Sequence, residues 1–256
     1  MIDIHCHILP DLDDGAKHME ESVRMARQAV DQGIHAVIAT PHHKTTRYEN
    51  DRQTVLESVR QLNNRLREEH IPLKVHPGQE IRIFEHMGHT FDETELLSLN
   101  ETGVYVLIEL PSHEIPRYTD HLIYNLSTQG YIPIIAHPER NQVILENSDI
   151  LYEFVKNGGL SQVTASNLTG KLGKKVRHFS ESLIEHNLAH VIASDAHHIE
   201  HRAFDLQDAY QSVRKRMDTA YVKQLSENAY DILNGERIHS YEPTRLKSKG
   251  LFGWFK

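Results

Sequence analysis

The feature that most constrains this chain is a regular alternation of short apolar runs with longer amphipathic segments. This alternation is typical of repeated strand–helix units built around a parallel sheet. The seven runs predicted as strands are Ile2–His5, Ala36–Thr40, Leu73–Pro77, Tyr105–Leu110, Ile132–Ala136, Leu160–Thr164 and His190–Ser194. The seven segments predicted as helices are Met19–Gln32, Asn50–Glu69, Tyr118–Gln129, Ile150–Asn157, Val176–His186, Ala203–Met217 and Ala220–Leu233. The pattern therefore predicts an α/β fold, a seven-stranded relative of the (β/α)8 barrel.

No linker rich in Gly, Ser or Pro divides the 256 residues, and no internal repeat is present. Residues 1–243 are therefore predicted to form one domain, which is long enough to bury a substantial core. Residues 244–256 differ in composition, because three basic residues precede a cluster of Leu, Phe and Trp. This tail either lies on an acidic membrane surface, packs on a neighbouring subunit of a homo-oligomer, or is disordered.

Composition excludes several classes of protein. The formal net charge of −8 gives no reason to expect nucleic acid as a partner, since polyanion binders usually carry a basic surface. A single cysteine rules out an intrachain disulfide framework and fits a reducing compartment. No apolar run is long enough for a transmembrane helix, and the N-terminus lacks the features of a signal peptide. We therefore expect a cytoplasmic protein.

Histidine is unusually abundant, with 20 copies, and many of them lie close to carboxylates in the sequence. In parallel α/β barrels the active site lies at the carboxyl ends of the strands. Six of the seven predicted strand ends carry a histidine or a carboxylate. The candidates are His5, His7, Asp13, Asp14, His42, His43, Glu80, Glu109, His137, Asp195 and His197. This clustering predicts a metal site, because histidine is the commonest transition-metal ligand.

The spacing of the candidates supports the same prediction. His5 and His7 are two residues apart on a strand, so both side chains point to one side and can bind one ion. Asp195 and His197 repeat this arrangement on the last predicted strand. Mixed imidazole and carboxylate ligands suit Mn²⁺, Fe²⁺ or Zn²⁺. The number of candidates exceeds the needs of one ion, and we expect two or three.

Two arginines follow metal-bearing strand ends. Arg140 lies three residues after His137, and Arg202 lies seven residues after Asp195. Guanidinium groups bind phosphate oxygens in a bidentate manner, which favours a phosphate ester as substrate. The alternative is that they form surface ion pairs with Glu139 or Glu200.

Three other chemistries are not supported. Leu12 occupies the position, six after Cys6, where a cysteine phosphatase requires arginine, so Cys6 is interpreted as a small buried hydrophobe. The chain has no G-x-S-x-G motif of an α/β-hydrolase. Gly170 and Lys171 lack the remaining residues of a phosphate-binding P-loop.

Taken in order, these motifs resemble the PHP (polymerase and histidinol phosphatase) superfamily. Within it they are most similar to the bacterial manganese-dependent protein-tyrosine phosphatases of capsule and exopolysaccharide operons, the CpsB/YwqE type. The motifs that carry the resemblance are His5-Cys6-His7 with Asp14, Thr40-Pro41-His42, Glu80, Glu109, His137-Pro138-Glu139-Arg140 and Ser194-Asp195-Ala196-His197. The resemblance covers nearly the whole chain and implies a distorted (β/α)7 barrel with a trinuclear centre, usually loaded with manganese.

The resemblance also implies which side chains hold each ion. His5, His7, Glu80 and Asp195 would bind the first. Glu80 would bridge to a second ion, held with Glu109 and His137. The third would be held by Asp14, His42 and His197. Arg140 and Arg202 fall where such enzymes place phosphate-binding arginines.

The expected reaction is attack on phosphorus by a metal-activated hydroxide, without a covalent phospho-enzyme. His43 or His198 is the candidate proton donor. The expected substrate is phosphotyrosine on a protein, such as the tail of a membrane-associated bacterial tyrosine kinase. One alternative is a small-molecule phosphatase of the same superfamily, for example acting on histidinol phosphate. Another is a barrel that binds metals or a partner without turnover, which the complete ligand set disfavours.

Overall fold

The computed structural model describes residues 1–88 and 91–246. Within these ranges the strands are β1 (Ile2–Cys6), β2 (Ala36–Ala39), β3 (His42–His43), β4 (Lys74–Pro77), β5 (Glu80–Arg82), β6 (Tyr105–Glu109), β7 (Ile132–Ala136), β8 (Leu160–Thr164) and β9 (Val191–Ala193). The α-helices are α1 (Met19–Asp31), α2 (Arg52–Glu68), α3 (Thr119–Thr128), α4 (Gln142–Glu146), α5 (Asp149–Lys156), α6 (Ala165–Leu168), α7 (Lys174–Glu185), α8 (Leu206–Arg214) and α9 (Thr219–Asn234). Every predicted strand and helix is confirmed, and the predicted α/β class with it.

The arrangement of the strands differs from the expected single barrel. The described strands form two parallel sheets, ordered β1-β2-β4 and β3-β5-β6-β7-β8-β9, and they form no closed barrel. The count is nine rather than seven, because the chain leaves one sheet after β2 and after β4 and pairs again in the other sheet as β3 and β5. Pro41, between β2 and β3, has no N–H with which to continue a ladder.

The first and last strands lie side by side at the junction between the sheets. A single parallel bridge joins Cys6 to Ala196. The His5 carbonyl accepts a hydrogen bond of 2.9 Å from the Asp195 N–H. Below this bridge, the buried carboxylate of Asp3 accepts a 2.9 Å hydrogen bond from the Ser194 N–H and a second from the Ser194 hydroxyl. These bonds bring the residues that follow β1 and β9 to the same place.

The core closes the opposite end of the strands. Apolar residues near the amino ends of the strands, such as Ile2, Ala36 and Val191, form one buried cluster with the inner face of α9. A larger cluster fills the space between the sheets and the surrounding helices. Both faces of the strands are therefore buried, as is usual for parallel sheets covered by helices. The carboxyl ends of the strands are left to form a site.

Among the helices in the described ranges, none has the length and hydropathy that crossing a membrane requires. Of the predicted tail, only its first residues fall in those ranges. The Thr244 N–H donates to the His186 carbonyl at 2.9 Å, and Arg245 forms ion pairs with Asp149 and Glu153 on α5. Residues 247–256 lie outside the described residues, so the three alternatives for the tail stay predictions.

His190 at the start of the last predicted strand makes the stability of this fold dependent on pH. The side chain is buried, and burial lowers its pKa to about 4. Its Nδ1 accepts a hydrogen bond of 3.2 Å from the Ser161 N–H, so the neutral ring is part of the folded structure. The unfolded histidine takes up a proton near pH 6.5, whereas the buried one does not. The contribution of neutral His190 to the free energy of unfolding is therefore fully present above pH 6.5 and falls as the pH drops towards 4.

We expect the advantage of the wild type over His190→Gln to shrink by about 1 to 2 kcal/mol between pH 7 and pH 5. The measurement is urea unfolding of both proteins with a chelator present, which removes metal binding from the comparison. His178→Gln, at an exposed position on α7, is the control and should show no such change. A constant difference for His190→Gln at both pH values would contradict the assignment.

Candidate metal centre

The structure places all nine sequence-predicted ligands together at the carboxyl ends of the strands. Their donor atoms form four overlapping groups, each with every atom within 4.8 Å of the others. The groups are His5–His7–Glu80, His5–His137–Asp195, His42–Glu80–Glu109 and His7–Asp14–His42–His197. Residues from six different strand ends thus surround one small volume.

His5, His7, Glu80 and Asp195 form the buried centre of this arrangement. The Nε2 atoms of His5 and His7 are 3.2 Å apart. Each lies 3.3–3.4 Å from Glu80 Oε2 and 3.4 Å from Asp195 Oδ1. The four side chains that the resemblance assigned to the first ion therefore face one another.

Glu80 lies between this centre and the next group. Its Oε1 accepts a 2.7 Å hydrogen bond from His137 Nε2, while its Oε2 faces His42 Nδ1 at 3.0 Å. Glu109 Oε2 is 3.6 Å from the same His42 nitrogen. His42 thus lies beside Glu80 and Glu109 as well as near Asp14 and His197, and His137 lies beside His5 and Asp195 as well as near Glu80.

The third group is nearest to the surface. Asp14 Oδ1 lies 3.5 Å from His42 Nε2 and 3.3 Å from His197 Nε2. The His7 ring stacks on the His197 ring, with centroids 3.7 Å apart. Asp14 is partly exposed, so this group faces the opening of the site.

Two of the strand-end residues have a left-handed backbone that non-glycine residues rarely adopt. The φ angle is 35° at His137 and 53° at Asp195. Such conformations cost free energy and are concentrated at functional sites, where the surrounding structure holds them. At both positions the chain turns away from the strand directly at a candidate ligand.

Several buried polar atoms of this cluster make no well-aligned hydrogen bond in the described part of the chain, although charged side chains lie close to them. They are His42 Nδ1, Glu80 Oε2, Glu109 Oε2 and His197 Nε2. A buried polar atom without a well-placed hydrogen bond costs free energy. A cation coordinated by these imidazole nitrogens and carboxylate oxygens would offset that cost. The residues therefore fit metal ions of the class that accepts mixed nitrogen and oxygen ligands.

The carboxylates titrate differently because their surroundings differ. Burial opposes ionisation of Glu80, yet the charges of His5 and His42 outweigh it and lower its pKa well below the usual value. Burial, and then the charge of Glu80, raise the pKa of Glu109. Negative charge is thus crowded in the site, and a cation would relieve the repulsion between these two carboxylates.

Two residues orient the central histidines, and neither belongs to the ligand set that the resemblance implies. His7 Nδ1 donates to Asp13 Oδ2 at 2.6 Å, and His5 Nδ1 donates to Gln162 Oε1 at 2.9 Å. Each bond places the proton on Nδ1 and leaves Nε2 free to bind an ion. Asp13 is among the candidates that the sequence places after the first strand, but the resemblance gives it no role as a ligand. Gln162 carries no local signal, because only the register of β8 places it beneath His5.

Both predicted arginines reach the site. Arg140 Nη1 donates to Asp195 Oδ2, and Arg202 Nη2 lies 3.0 Å from the same oxygen. The alternative of an ion pair between Arg140 and Glu139 is not found, because Glu139 is buried and accepts from Thr164 N–H at 2.8 Å. With Asp14, His42, Glu109 and His137, the two arginines line a cavity of about 240 Å³.

A third arginine lies beside the site and was missed by the sequence analysis. Arg82 on β5 is paired in register with Glu109 on β6, and its Nη2 lies 2.8 Å from Glu109 Oε2. No spacing rule could identify it, since the contact depends on which strands are neighbours.

The remaining candidates lie away from the cavity. His43 is buried, and burial together with the charge of Lys44 lowers its pKa. His198 lies 3.6 Å from Glu21. Cys6 is fully buried with its Sγ directed at the Ile38 carbonyl, and burial raises the pKa of the thiol well above its usual value. A thiolate nucleophile is therefore not available at this position.

We expect Asp13→Asn to weaken metal binding about 10- to 100-fold, because the amide cannot hold His7 and the His42 and Gly15 N–H groups in the same way. Metal titration of the purified protein measures this loss directly. Asp11→Asn, in the same loop but exposed, is the matched control and should bind metal as the wild type does. Equal affinity of Asp13→Asn and the wild type would show that Asp13 does not orient His7.

The comparisons with known proteins agree with this geometry. A family model described as capsular polysaccharide synthesis, CpsB/CapC, matches residues 1–234. The tyrosine-protein phosphatase YwqE of Bacillus subtilis (strain 168) is 48% identical over 255 residues, which cover 100% of both chains. The tyrosine-protein phosphatase CpsB of Streptococcus pneumoniae is 28% identical over 230 residues, 88% of this chain and 94% of that protein.

Solved structures extend the comparison to the fold. A structure reported for YwqE from Bacillus subtilis and CpsB from Streptococcus pneumoniae, described as metal-dependent tyrosine phosphatases, superposes with a TM-score of 0.94. It is 47% identical and covers 96% of this chain and 100% of that one. The histidinol phosphate phosphatase of Lactococcus lactis shares the fold alone, at 12% identity and a TM-score of 0.51. The resemblance drawn from the sequence is thus confirmed, and the chain belongs to the CpsB/CapC family.

Proposed function

We propose that this protein is a metal-dependent protein-tyrosine phosphatase, a phosphoric monoester hydrolase that acts in capsule or exopolysaccharide synthesis. The observation that carries the proposal is the cavity in which Arg140 and Arg202 face the cluster of imidazoles and carboxylates. The names of the full-length relatives point to the same reaction. A membrane-associated tyrosine kinase as substrate and a cytoplasmic location complete the proposal.

The metal ligands are proposed as the sequence predicted them. His5, His7, Glu80 and Asp195 would hold one ion, Glu80 with Glu109 and His137 a second, and Asp14, His42 and His197 a third. Their donor atoms support this proposal by their closeness, and because four of them make no well-aligned hydrogen bond among the described residues. Manganese is the proposed metal, with iron and zinc as alternatives of the same ligand preference. When bound, such ions acidify water and neutralise charge on phosphoryl oxygens.

The arginines bind and orient the phosphate. Arg140 has a buried Nε without a hydrogen-bond partner in the described residues, so one donor of this guanidinium is unused. Arg202 is partly exposed at the mouth of the cavity. Two planar guanidinium groups on one side of the cavity match the geometry of phosphoryl oxygens and hold the ester in place above the carboxylates.

The leaving group needs little help from the protein. A tyrosine hydroxyl has a pKa of about 10, so its anion leaves more readily than that of an alkyl alcohol. Neither His43 nor His198 is among the described residues that line the cavity, so the geometry gives no support to either as proton donor. The partly exposed mouth formed by Asp14 and Arg202 suits a side chain presented by a protein segment.

The two sheets are proposed to act as one distorted ring of seven positions, a (β/α)7 barrel. In this arrangement β2 with β3, and β4 with β5, each fill one position. The support is that only two residues separate the members of each pair, and that the Cys6–Ala196 bridge connects β1 to the end of β9.

Turnover of two substrates by the manganese-loaded protein tests the proposed reaction. A phosphotyrosine peptide should have a higher kcat/KM than histidinol phosphate, because the partly exposed mouth accepts an extended segment. A preference for histidinol phosphate would replace the proposal with a small-molecule phosphatase.

Two variants test the proposed centre. Asp195→Ala should lower phosphatase activity by more than about 100-fold and also lower metal content, because it removes the carboxylate that faces both central histidines. Cys6→Ala should retain activity, since the thiol is buried and directed away from the cavity. Activity and metal content that both survive Asp195→Ala would disprove the site, and loss of turnover in a folded Cys6→Ala would point to a cysteine phosphatase.

A further inference from the structure

A second cavity adjoins the candidate metal centre. It has a volume of about 520 Å³, and Arg140 and Arg202 line it as well as the first cavity. Its other walls include Ser166, Lys171, Leu172 and His201, and its exposed lining is mainly carbon. A substrate held by the two arginines would therefore lie directly beside this space.

Leu172 is the apolar residue that this cavity exposes. The residue is 54% exposed, and it is one of four large apolar residues with such exposure in the described ranges. The other three, Tyr124, Tyr230 and Tyr241, line neither cavity. A single exposed leucine is ordinary on a protein surface, so its position beside the two arginines carries the argument.

The loop that presents Leu172 is fixed on the side of Arg140. The buried Glu139 carboxylate accepts hydrogen bonds of 2.8 Å from the Thr164 N–H and 2.6 Å from Asn167 Nδ2. Glu139 belongs to the 3-10 helix Pro138–Arg140, and Asn167 belongs to α6, which precedes the loop. The start of the loop is thereby held to the helix that carries Arg140.

The loop is also fixed on the side of Arg202. Lys171 Nζ lies 2.6 Å from Asp205 Oδ2, three residues after Arg202. Gly170 and Gly173 have φ angles of 89° and 92°, and the Gly173 N–H donates to the Gly170 carbonyl at 2.9 Å. Leu172 is thus presented by a tight turn whose position is set relative to both arginines.

We propose that this cavity receives an apolar side chain that flanks the phosphotyrosine of a protein substrate, with Leu172 as the residue that determines this preference. The inference rests on the proposed phosphatase function. An extended segment advances about 3.3 Å per residue, so a residue one or two positions from the phosphotyrosine lies within reach of the cavity. Lys171 is already paired with Asp205, and Glu200 on the rim disfavours an acidic flanking residue.

The test uses the full-length, manganese-loaded protein and three substrates. Two of them are kinds of phosphotyrosine peptide that differ only in having Leu or Ser at one position near the phosphotyrosine. One such matched pair is prepared for each of the two positions on either side. The third is free phosphotyrosine. For the wild type we expect kcat/KM to be about three- to tenfold higher for a Leu peptide than for its Ser partner, less than a fully enclosed apolar pocket achieves.

Leu172→Ser should abolish this preference and leave kcat/KM for free phosphotyrosine unchanged, because free phosphotyrosine has no flanking residue to place in the cavity. Leu172→Met should retain the preference. Tyr124→Ser, which removes an exposed apolar side chain on α3, is the matched control and should behave as the wild type does.

The outcomes separate this inference from the proposed function. Turnover of phosphotyrosine without any preference, or a preference that survives Leu172→Ser, would overturn the role of Leu172 and leave the phosphatase function intact. An equal loss on all three substrates would assign Leu172 a structural role and also overturn it. Failure of the wild type on every phosphotyrosine substrate would overturn both proposals.

Discussion

The buried carboxylate of Asp195 is the interaction on which the site depends. It accepts hydrogen bonds from Arg140 and Arg202 and faces the Nε2 atoms of His5 and His7. Burial opposes its ionisation, but the charge of Arg140, followed by that of His5, holds its pKa well below the usual value. Asp195 thereby joins the two arginines proposed to bind phosphate to the candidate metal ligands, and it lies where the last strand meets the first.

This arrangement brings many like charges together at a cost to the folded protein. Carboxylates and imidazoles are crowded at the strand ends, and several of their buried atoms make no well-aligned hydrogen bond among the described residues, while the opposite end is closed by apolar residues. The strained backbone at His137 and Asp195 is part of the same cost. The core and the Asp3–Ser194 bonds hold the strands that carry this cluster. Ions bound at the site would add their own binding energy to folding.

Much of the fold and site was predictable because both follow local rules. The alternation of apolar and amphipathic segments predicted the α/β class and each of the seven main strands. The two-residue spacing of His5 and His7 predicted that their rings share one side of β1, as their 3.2 Å separation bears out. Where prediction failed, the cause was not local. The chain crosses from one sheet to the other at Pro41 and again after Gly78. Each crossing adds a short strand in the second sheet, so the described residues form nine strands in two sheets instead of the seven expected.

By itself, the sequence determined the residue types at each strand end, and through them the chemistry of the site and the family to which the chain belongs. These features depend on the order and spacing of side chains along single elements. Only the tertiary structure decided that Gln162 supports His5, that Arg82 pairs with Glu109, and that His42 lies 3.0 Å from Glu80. Each of these contacts joins residues from different strands, and their distances depend on the order and register of the strands in the two sheets, which no local pattern in the sequence encodes.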